Sequence, residues 1–278
     1  MSIVYEVARR IDALGCRKMV ATLATLTASR SSGQKFAVSA KGEWINMQPD
    51  AVVVSPTIHT ARYDQFRAWV LDNWCWHHLP KLGDTVIDVG AGVGEEAVVL
   101  SHLVGPTGSV ISIEAHPATF ACLEQTVQRS GLTNVLPLMV ALGDADGIAR
   151  IGSAAEHLKN SILVGAGDTE VPMRTLCSLL RELEIDRVDL LKLNIEGAER
   201  LAVRGMAECA DRLRHVVISC HDFLAERGDG EQLRTREEVR AMLASQGFDL
   251  KTRPEHADAW TRDYLYGSRA PVTELRRG

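Results

Sequence analysis

The sequence predicts an α/β fold: a doubly wound, mostly parallel, seven-stranded sheet of Rossmann-like type. Three observations carry this. From Asp84 onward, short β-branched runs alternate with segments of helical period. The first run, Thr85-Val86-Ile87-Asp88-Val89, breaks into a glycine turn before a helix. Strands joined by crossover helices form a parallel sheet with helices on both faces.

The elements follow in order. Val4, Val7, Ile11 and Leu14 recur at helical spacing and predict an opening amphipathic helix. Met19 to Ala28 continues helix-like and apolar, which suits core or subunit-interface packing. Ser31-Ser32-Gly33 breaks it. Phe36 to Pro56 reads as short strands, with Trp44-Ile45 and Val52-Val53-Val54 as the apolar pieces. A helix is expected over Ala61 to His78, with Tyr63, Phe66, Val70 and Trp74 as its stripe. Pro80 and Gly83 end it, so a boundary is drawn there. Residues 1–80 form a helical and hairpin extension, a cap or a dimer surface, and 81–278 form the main domain. Strands follow at Thr85–Val89, Ser109–Glu114, Val135–Leu142, Val188–Asn194, His215–Cys220, Phe248–Leu250 and Tyr264–Tyr266. Helices run to about Val104 and over Pro117–Ser130, and Thr235-x-x-Glu238 reads as a capping box for one more.

Composition narrows the function. Hydrophobic residues are 46% and charged residues 24% of the 278, ordinary for a globular protein. A net charge of -5 argues against nucleic acid and against an anionic membrane as main partner. No stretch is long and apolar enough to span a membrane, and Met1 to Arg10 lacks a signal-peptide core. The six cysteines, Cys16, Cys75, Cys122, Cys177, Cys209 and Cys220, form no Cys-x-x-Cys pair and read as free buried thiols. A cytoplasmic location is expected.

In a doubly wound sheet the ligand lies beyond the C-terminal strand ends. That directs attention to Val89, Glu114, Leu142, Asn194 and Cys220. The turn Gly90-Ala91-Gly92-Val93-Gly94 lets backbone approach a ligand closely. Glu114 lies 20 positions after Gly94, where a carboxylate can accept both hydroxyls of a ribose. A nucleoside ligand is implied. A dinucleotide turn would place its third glycine at position 95, which is Glu95, followed by Glu96. Two acids there oppose a pyrophosphate. S-adenosylmethionine carries no phosphate, and its ammonium and sulfonium groups suit acids such as Asp88.

In Leu191-Lys192-Leu193-Asn194-Ile195-Glu196-Gly197-Ala198-Glu199, strand alternation places Lys192, Asn194 and Glu196 on one face if the strand extends that far. Lys192 is expected to pair with a carboxylate such as Glu196, and Asn194 and Glu196 to face the site. His221, after the fifth strand, is placed to serve as a general base near pH 7 in its neutral form. Trp74, Trp76, His77 and His78 read as helix packing. The adjacent histidines imply no metal set, and no aspartate cluster of the kind that holds magnesium is evident.

Val86-Ile87-Asp88-Val89-Gly90-Ala91-Gly92-Val93-Gly94 resembles the first motif of the class I methyltransferases, and Leu191 to Glu199 resembles the signature of the FkbM type. Thr175-Leu176-Cys177-Ser178-Leu179 fits the same family, and the similarity spans about Tyr63 to Phe248. The resemblance implies that Asp88, Gly90, Ala91 and Gly92 cradle the methionine part of S-adenosylmethionine and that Glu114 and Ala115 hold the ribose. Ala141, Leu142 and Asp144 would lie by the adenine. Asn194, Glu196 and His221 would face the reaction centre. It further implies O-methylation of a hydroxyl on a sugar, glycoconjugate or polyketide-type product, releasing S-adenosylhomocysteine. The acceptor would be a small molecule or glycan, and the apolar N-terminal helices suit a homodimer. Two departures stand out: the family usually has aspartate where Asn194 stands, and often glutamate near Ser219. Methylation of nitrogen, carbon or protein, a nucleoside-binding module without catalysis, and an NAD-dependent oxidoreductase are the alternatives.

Overall fold

The computed structural model describes residues 16–152 and 169–269. The predicted opening helix over Val4 to Leu14 lies outside the described residues. The first described helix, α1 (Arg17–Ser32), leads into an antiparallel three-stranded sheet, β1 (Lys35–Val38), β2 (Trp44–Gln48) and β3 (Ala51–Ser55), followed by α2 (Tyr63–Asn73). Then β4 (Thr85–Val89), α3 (Glu95–Val104), β5 (Ser109–Ile113), α4 (Pro117–Arg129) and β6 (Val135–Leu138) alternate. The short strands β7 (Ala141–Leu142), β8 (Gly147–Ile151) and β9 (Thr169–Arg174) precede α5 (Leu176–Glu182), β10 (Val188–Leu193), α6 (Glu199–Gly205) and a 3-10 helix (Ala207–Arg212). The chain continues through β11 (Leu213–Ser219), α7 (Asp222–Glu226), α8 (Arg236–Ser245), β12 (Asp249–Lys251), α9 (Ala259–Arg262) and β13 (Tyr264–Ser268).

The main sheet has the order β12-β13-β11-β10-β4-β5-β6. Only β13 runs against its neighbours. From β4 the chain winds outward through β5 to β6, then returns to add β10 on the other side of β4. The crevice at this reversal, between the C-terminal ends of β4 and β10, is where such sheets bind ligands.

β10 is buried along its whole length, so it reads as a continuous rather than alternating apolar run. Asp189 near its start and Lys192 near its end are the exceptions. In the β4–β10 register Lys192 stands beside Asp88, with Nζ 2.8 Å from Oδ1, and it donates to the Gly90 carbonyl at 2.9 Å. Its Nζ also lies 5.0 Å from the centroid of Trp74, which stacks on Tyr264. The expected Lys192–Glu196 partnership is thereby corrected. Neighbouring parallel strands bring Asp88 into register, whereas the strand ends at Leu193 and Glu196 lies past it at a positive φ of 52°.

Further expectations are revised. The third strand breaks after Leu138, and Ala141–Leu142 pairs with β9 in a separate sheet of order β7-β9-β8. Pro137, which lacks an amide donor, is accommodated because β6 is an edge strand. The helix expected to reach His78 ends at Asn73, whose carbonyl accepts from the Tyr266 hydroxyl at 2.9 Å. The capping box at Thr235 is not formed. Asp222 accepts from the Thr235 and Arg236 amides at 2.9 and 3.0 Å, while the Thr235 hydroxyl donates to Glu199.

The N-terminal sheet is clamped on both faces. Phe36 and Trp44 pack with Val20, Ala21 and Ile58, and Ile45, Val53 and Val54 pack against Val93 and Cys122 of the main domain. The exposed residues of α1 include Met19, Leu23 and Leu26. The edge of β3 is covered by hydroxyls of α4. Val54 N donates to Thr126 Oγ1 at 3.0 Å, and Ser130 Oγ both accepts from and donates to the Val52 backbone at 2.9 Å. This satisfies backbone groups that an open strand edge would leave for another chain. Among the described residues, no helix is long and apolar enough to cross a membrane.

The reading of all six cysteines as free thiols is overturned. Cys177 on α5 and Cys209 on the 3-10 helix form a disulfide across 32 positions, and Cys16, Cys75, Cys122 and Cys220 are not disulfide-bonded. The pairing follows from how two helices pack under the sheet, which spacing along the chain does not encode. Alkylation of the denatured protein without reductant should therefore label four cysteines, and all six after reduction, as read by intact mass. Lys192→Ala should cost about 3–5 kcal/mol in urea unfolding, because it strands Asp88 as an unpaired buried charge.

Candidate active site

The glycine turn is tied to the neighbouring strand: Gly90 N and Ala91 N donate to the Ile113 carbonyl at 2.9 and 3.0 Å. Gly90 has φ 72°, and a Cβ there would lie 1.9 Å from the Asn194 carbonyl oxygen. Only glycine lets the two strand ends approach this closely. A Cβ on Gly92 would instead meet nothing within 4 Å, because Gly92 borders the cleft.

Glu114 closes the floor of that cleft. Its Oε2 accepts from Gly92 N at 3.0 Å and its Oε1 from His116 N at 2.9 Å. Burial pushes the carboxyl up to about 7, against the pull of the two amides.

The cleft is open to solvent and has room for water over about 100 Å³. Of the residues singled out from sequence, Gly90, Gly92, Glu114, Ala115, Ala141, Leu142, Asn194 and Glu196 line it. Ala91 and Asp88 do not, being fully buried behind the turn. Asp144 pairs instead with Arg204 at 3.1 Å. His116 and Ile151 also line the cleft and were not anticipated. His116 could have been found, since it follows Glu114 by two residues at the start of α4. Ile151 could not, since it arrives on β8 of the small sheet, remote in sequence from the turn.

Asn194 N donates to the Val89 carbonyl at 3.0 Å and carries the ladder one residue past β10. Glu196 then adopts its left-handed conformation, followed by Gly197 at φ 95°. A non-glycine residue held there costs on the order of 1 kcal/mol or more. The turn is secured by Glu199, whose Oε1 accepts from Gly197 N at 3.0 Å. The same carboxylate contacts His221 Nδ1 at 2.8 Å and, through Oε2, the Thr235 hydroxyl at 3.3 Å. Glu199 is fully buried with every one of these partners supplied by a different stretch of chain. Burial would raise its pKa, but the His221 ring and the amide of Gly197 together lower it.

His221 is buried, and its Nε2 lies 3.6 Å from Glu196 Oε1. Burial alone would depress it. Glu199 first, then Glu196 and Asp263, raise it to about 9. At neutral pH the ring is therefore charged, in contrast to the neutral base expected from the sequence. It stands behind Glu196 rather than in the wall of the cleft, and Glu196 is the carboxylate that lines the cavity.

At the other end of the turn, burial raises Glu95 to about 8 and Glu96 to about 7, with Lys192 acting against the second. Glu95 contacts the His59 ring, which burial lowers to about 4. These acids occupy the helix start that a pyrophosphate would need. The residues present fit S-adenosylmethionine: glycine backbone at the turn, a carboxylate set for a ribose, and an apolar wall at Val140, Leu142 and Ile151. Among the described residues, no group of three or more His, Cys, Asp or Glu side chains is arranged to hold a metal ion.

Comparison with known proteins agrees with this geometry. Methyltransferase 1 of Beauveria bassiana is 24% identical over 217 residues, spanning 69% of this chain and 83% of that protein. A protein-L-isoaspartate O-methyltransferase of Methanopyrus kandleri is 32% identical over 105 residues, 38% of this chain, and the match spans only 42% of that enzyme's length. Among solved structures, the METTL16 methyltransferase domain matches with a TM-score of 0.51 at 14% identity, covering 97% of this chain and 83% of that one, a likeness of fold. The family described as Methyltransferase FkbM domain matches residues 88–250, the stretch that runs from the glycine turn through the Asn194–Glu199 motif to the sixth strand of the sheet. The chain belongs to the FkbM methyltransferase family and is an S-adenosylmethionine-dependent methyltransferase.

Proposed function

We propose that the protein is an O-methyltransferase acting on a hydroxyl of a sugar, glycoconjugate or polyketide-type product. The observation that carries this reading is the Glu196 carboxylate in the cleft wall beside Asn194. A hydroxyl is a weak nucleophile until its proton has somewhere to go, and a carboxylate at the cleft supplies that. When bound, S-adenosylmethionine supplies an electrophilic methyl group.

Gly90 and Gly92 would receive its amino-acid end, Glu114 its ribose hydroxyls, and Ala141 and Leu142 its adenine. Asn194 offers an amide that orients the acceptor oxygen, and Glu196 takes the proton. Alignment of the reactants in a fixed cleft accounts for a large part of the rate. A carboxylate acceptor, as in the isoaspartate enzymes, would meet Glu196 at like charge, which disfavours that chemistry here. Nitrogen, carbon and protein acceptors are the competing outcomes of the test.

Calorimetric titration should show binding of S-adenosylmethionine and S-adenosylhomocysteine but not NAD. Glu114→Ala should weaken both by roughly 10- to 100-fold, the worth of hydrogen bonds to a charged group. Because Glu114 is protonated below about 7, affinity should rise as pH increases through that value. Glu114→Gln should flatten the dependence. With wild-type protein and an acceptor panel bearing hydroxyl, carboxyl and amino groups, mass spectrometry should locate the new methyl on a hydroxyl oxygen. A methyl found on nitrogen or carbon would refute the proposal.

A further inference from the structure

We propose that Glu199 is a positioning residue for methyl transfer, acting through His221 to hold the Glu196 carboxylate, ionised, at the edge of the cleft. The inference rests on the reading of Glu196 as the proton acceptor. Three facts of geometry support it.

The imidazole is flanked by acid on both nitrogens, Glu199 at 2.8 Å on Nδ1 and Glu196 at 3.6 Å on Nε2. With Nδ1–H given to Glu199, the second N–H faces Glu196. Next, Glu199 reaches the backbone of the turn itself, through Gly197 N at 3.0 Å, so one carboxylate fixes both the conformation carrying Glu196 and the cation beside it. Finally, Glu196 is one of only two non-glycine residues with positive φ among those described. Strain of this kind is found where surrounding contacts hold a side chain in a required place.

A pair that served folding alone would have little need of the third carboxylate. Buried ion pairs add little stability over apolar residues of similar volume. The charge order, carboxylate, imidazolium, carboxylate, does have a chemical consequence. A carboxyl group in a cleft emptied of water drifts toward its protonated form, in which it cannot accept a proton. A neighbouring cation opposes that drift.

In the transfer, the acceptor O–H bond breaks and its proton goes to Glu196. The oxygen–methyl bond forms as the sulfur–methyl bond breaks, and the bonding pair remains on sulfur. His221 keeps its proton and Glu199 its charge throughout. The other ionisable groups near the ring are Asp263, the residue between α9 and β13, and Cys220 and Asp222 on either side of it in sequence.

The test uses cofactor-free protein, so its outcome does not depend on the acceptor. The Glu196 carboxyl, assigned with Glu196→Gln, and the His221 ring are followed by carbon and nitrogen NMR across pH in wild type, Glu199→Gln and His221→Gln. In wild type the ring should stay charged up to about 9. In Glu199→Gln it should lose its proton at clearly lower pH, because burial is then opposed by less negative charge. In His221→Gln, which removes the cation at every pH, Glu196 should bind its proton about tenfold more tightly, and so titrate at higher pH, which is about the effect of one nearby charge. His221→Gln retains a donor for Glu199 without the charge, so it decides the matter if Glu199→Gln does not fold. A Glu196 titration unchanged in His221→Gln overturns the inference. The same result leaves the acceptor assignment standing on its own mass-spectrometric test.

Discussion

Everything in the cleft depends on how closely two strand ends meet. Gly90 presses against the carbonyl of Asn194 at a distance no side chain permits. Asn194 N then reaches back to Val89, and Lys192 bonds both the Gly90 carbonyl and Asp88. The end of β4 and the end of β10 are thus one unit. The first presents the backbone of the glycine turn to the cleft, with Glu114 from the end of β5 bonded to it at Gly92 N, and the second presents Asn194 and Glu196. Their separation is set by covalent and steric limits rather than by soft packing, which is the condition a transfer reaction places on its partners.

Two sets of buried charge lie on either side of this contact and differ in character. Lys192 and Asp88 are sealed from solvent beneath the turn, with Trp74 closing over the ammonium. Their role is to hold the turn from behind. The set of Glu199, His221 and Glu196 ends at the cavity, and its last member is exposed to it. Opposite charges compensate within each set, so neither leaves an isolated ion in the core. The acids at Glu95, Glu96 and Glu114 are handled differently, since burial raises each of them. Among the described residues, no cation is bonded to any of the three carboxylates to offset that burial, although Lys192 opposes it in Glu96 and Glu114.

The periphery frames the cleft without sharing the sheet. The N-terminal sheet is hydrogen-bonded onto α4 through Thr126 and Ser130. The small sheet of β7, β8 and β9 brings Ile151 to the wall of the cleft. The disulfide joins α5 to the short helix that leads into β11. Val70 of α2 and Trp74 just past its end pack into the same core as Val86 of β4 and Tyr264 of β13, so part of the N-terminal extension is continuous with the main domain.

What could be determined from the sequence was local. Strand runs from Thr85 to Val89 and Val188 to Leu193 are legible because a doubly buried strand is mostly apolar, with only Asp88, Asp189 and Lys192 charged in these two. The glycine turn is legible because backbone at positive φ admits few other residues. Glu114 follows from its place at the end of the next strand. The pairing of Lys192 with Asp88, the disulfide, the capping of α8 by Asp222, and the arrival of Ile151 were decided only by tertiary structure, since each joins segments far apart in the chain. So was the charge on His221. A free histidine titrates near neutrality, and nothing adjacent in sequence reveals that folding places a buried carboxylate against one ring nitrogen and a second near the other. Strand and turn are dictated by neighbours along the chain, but the protonation state of a buried group depends on what surrounds it in space.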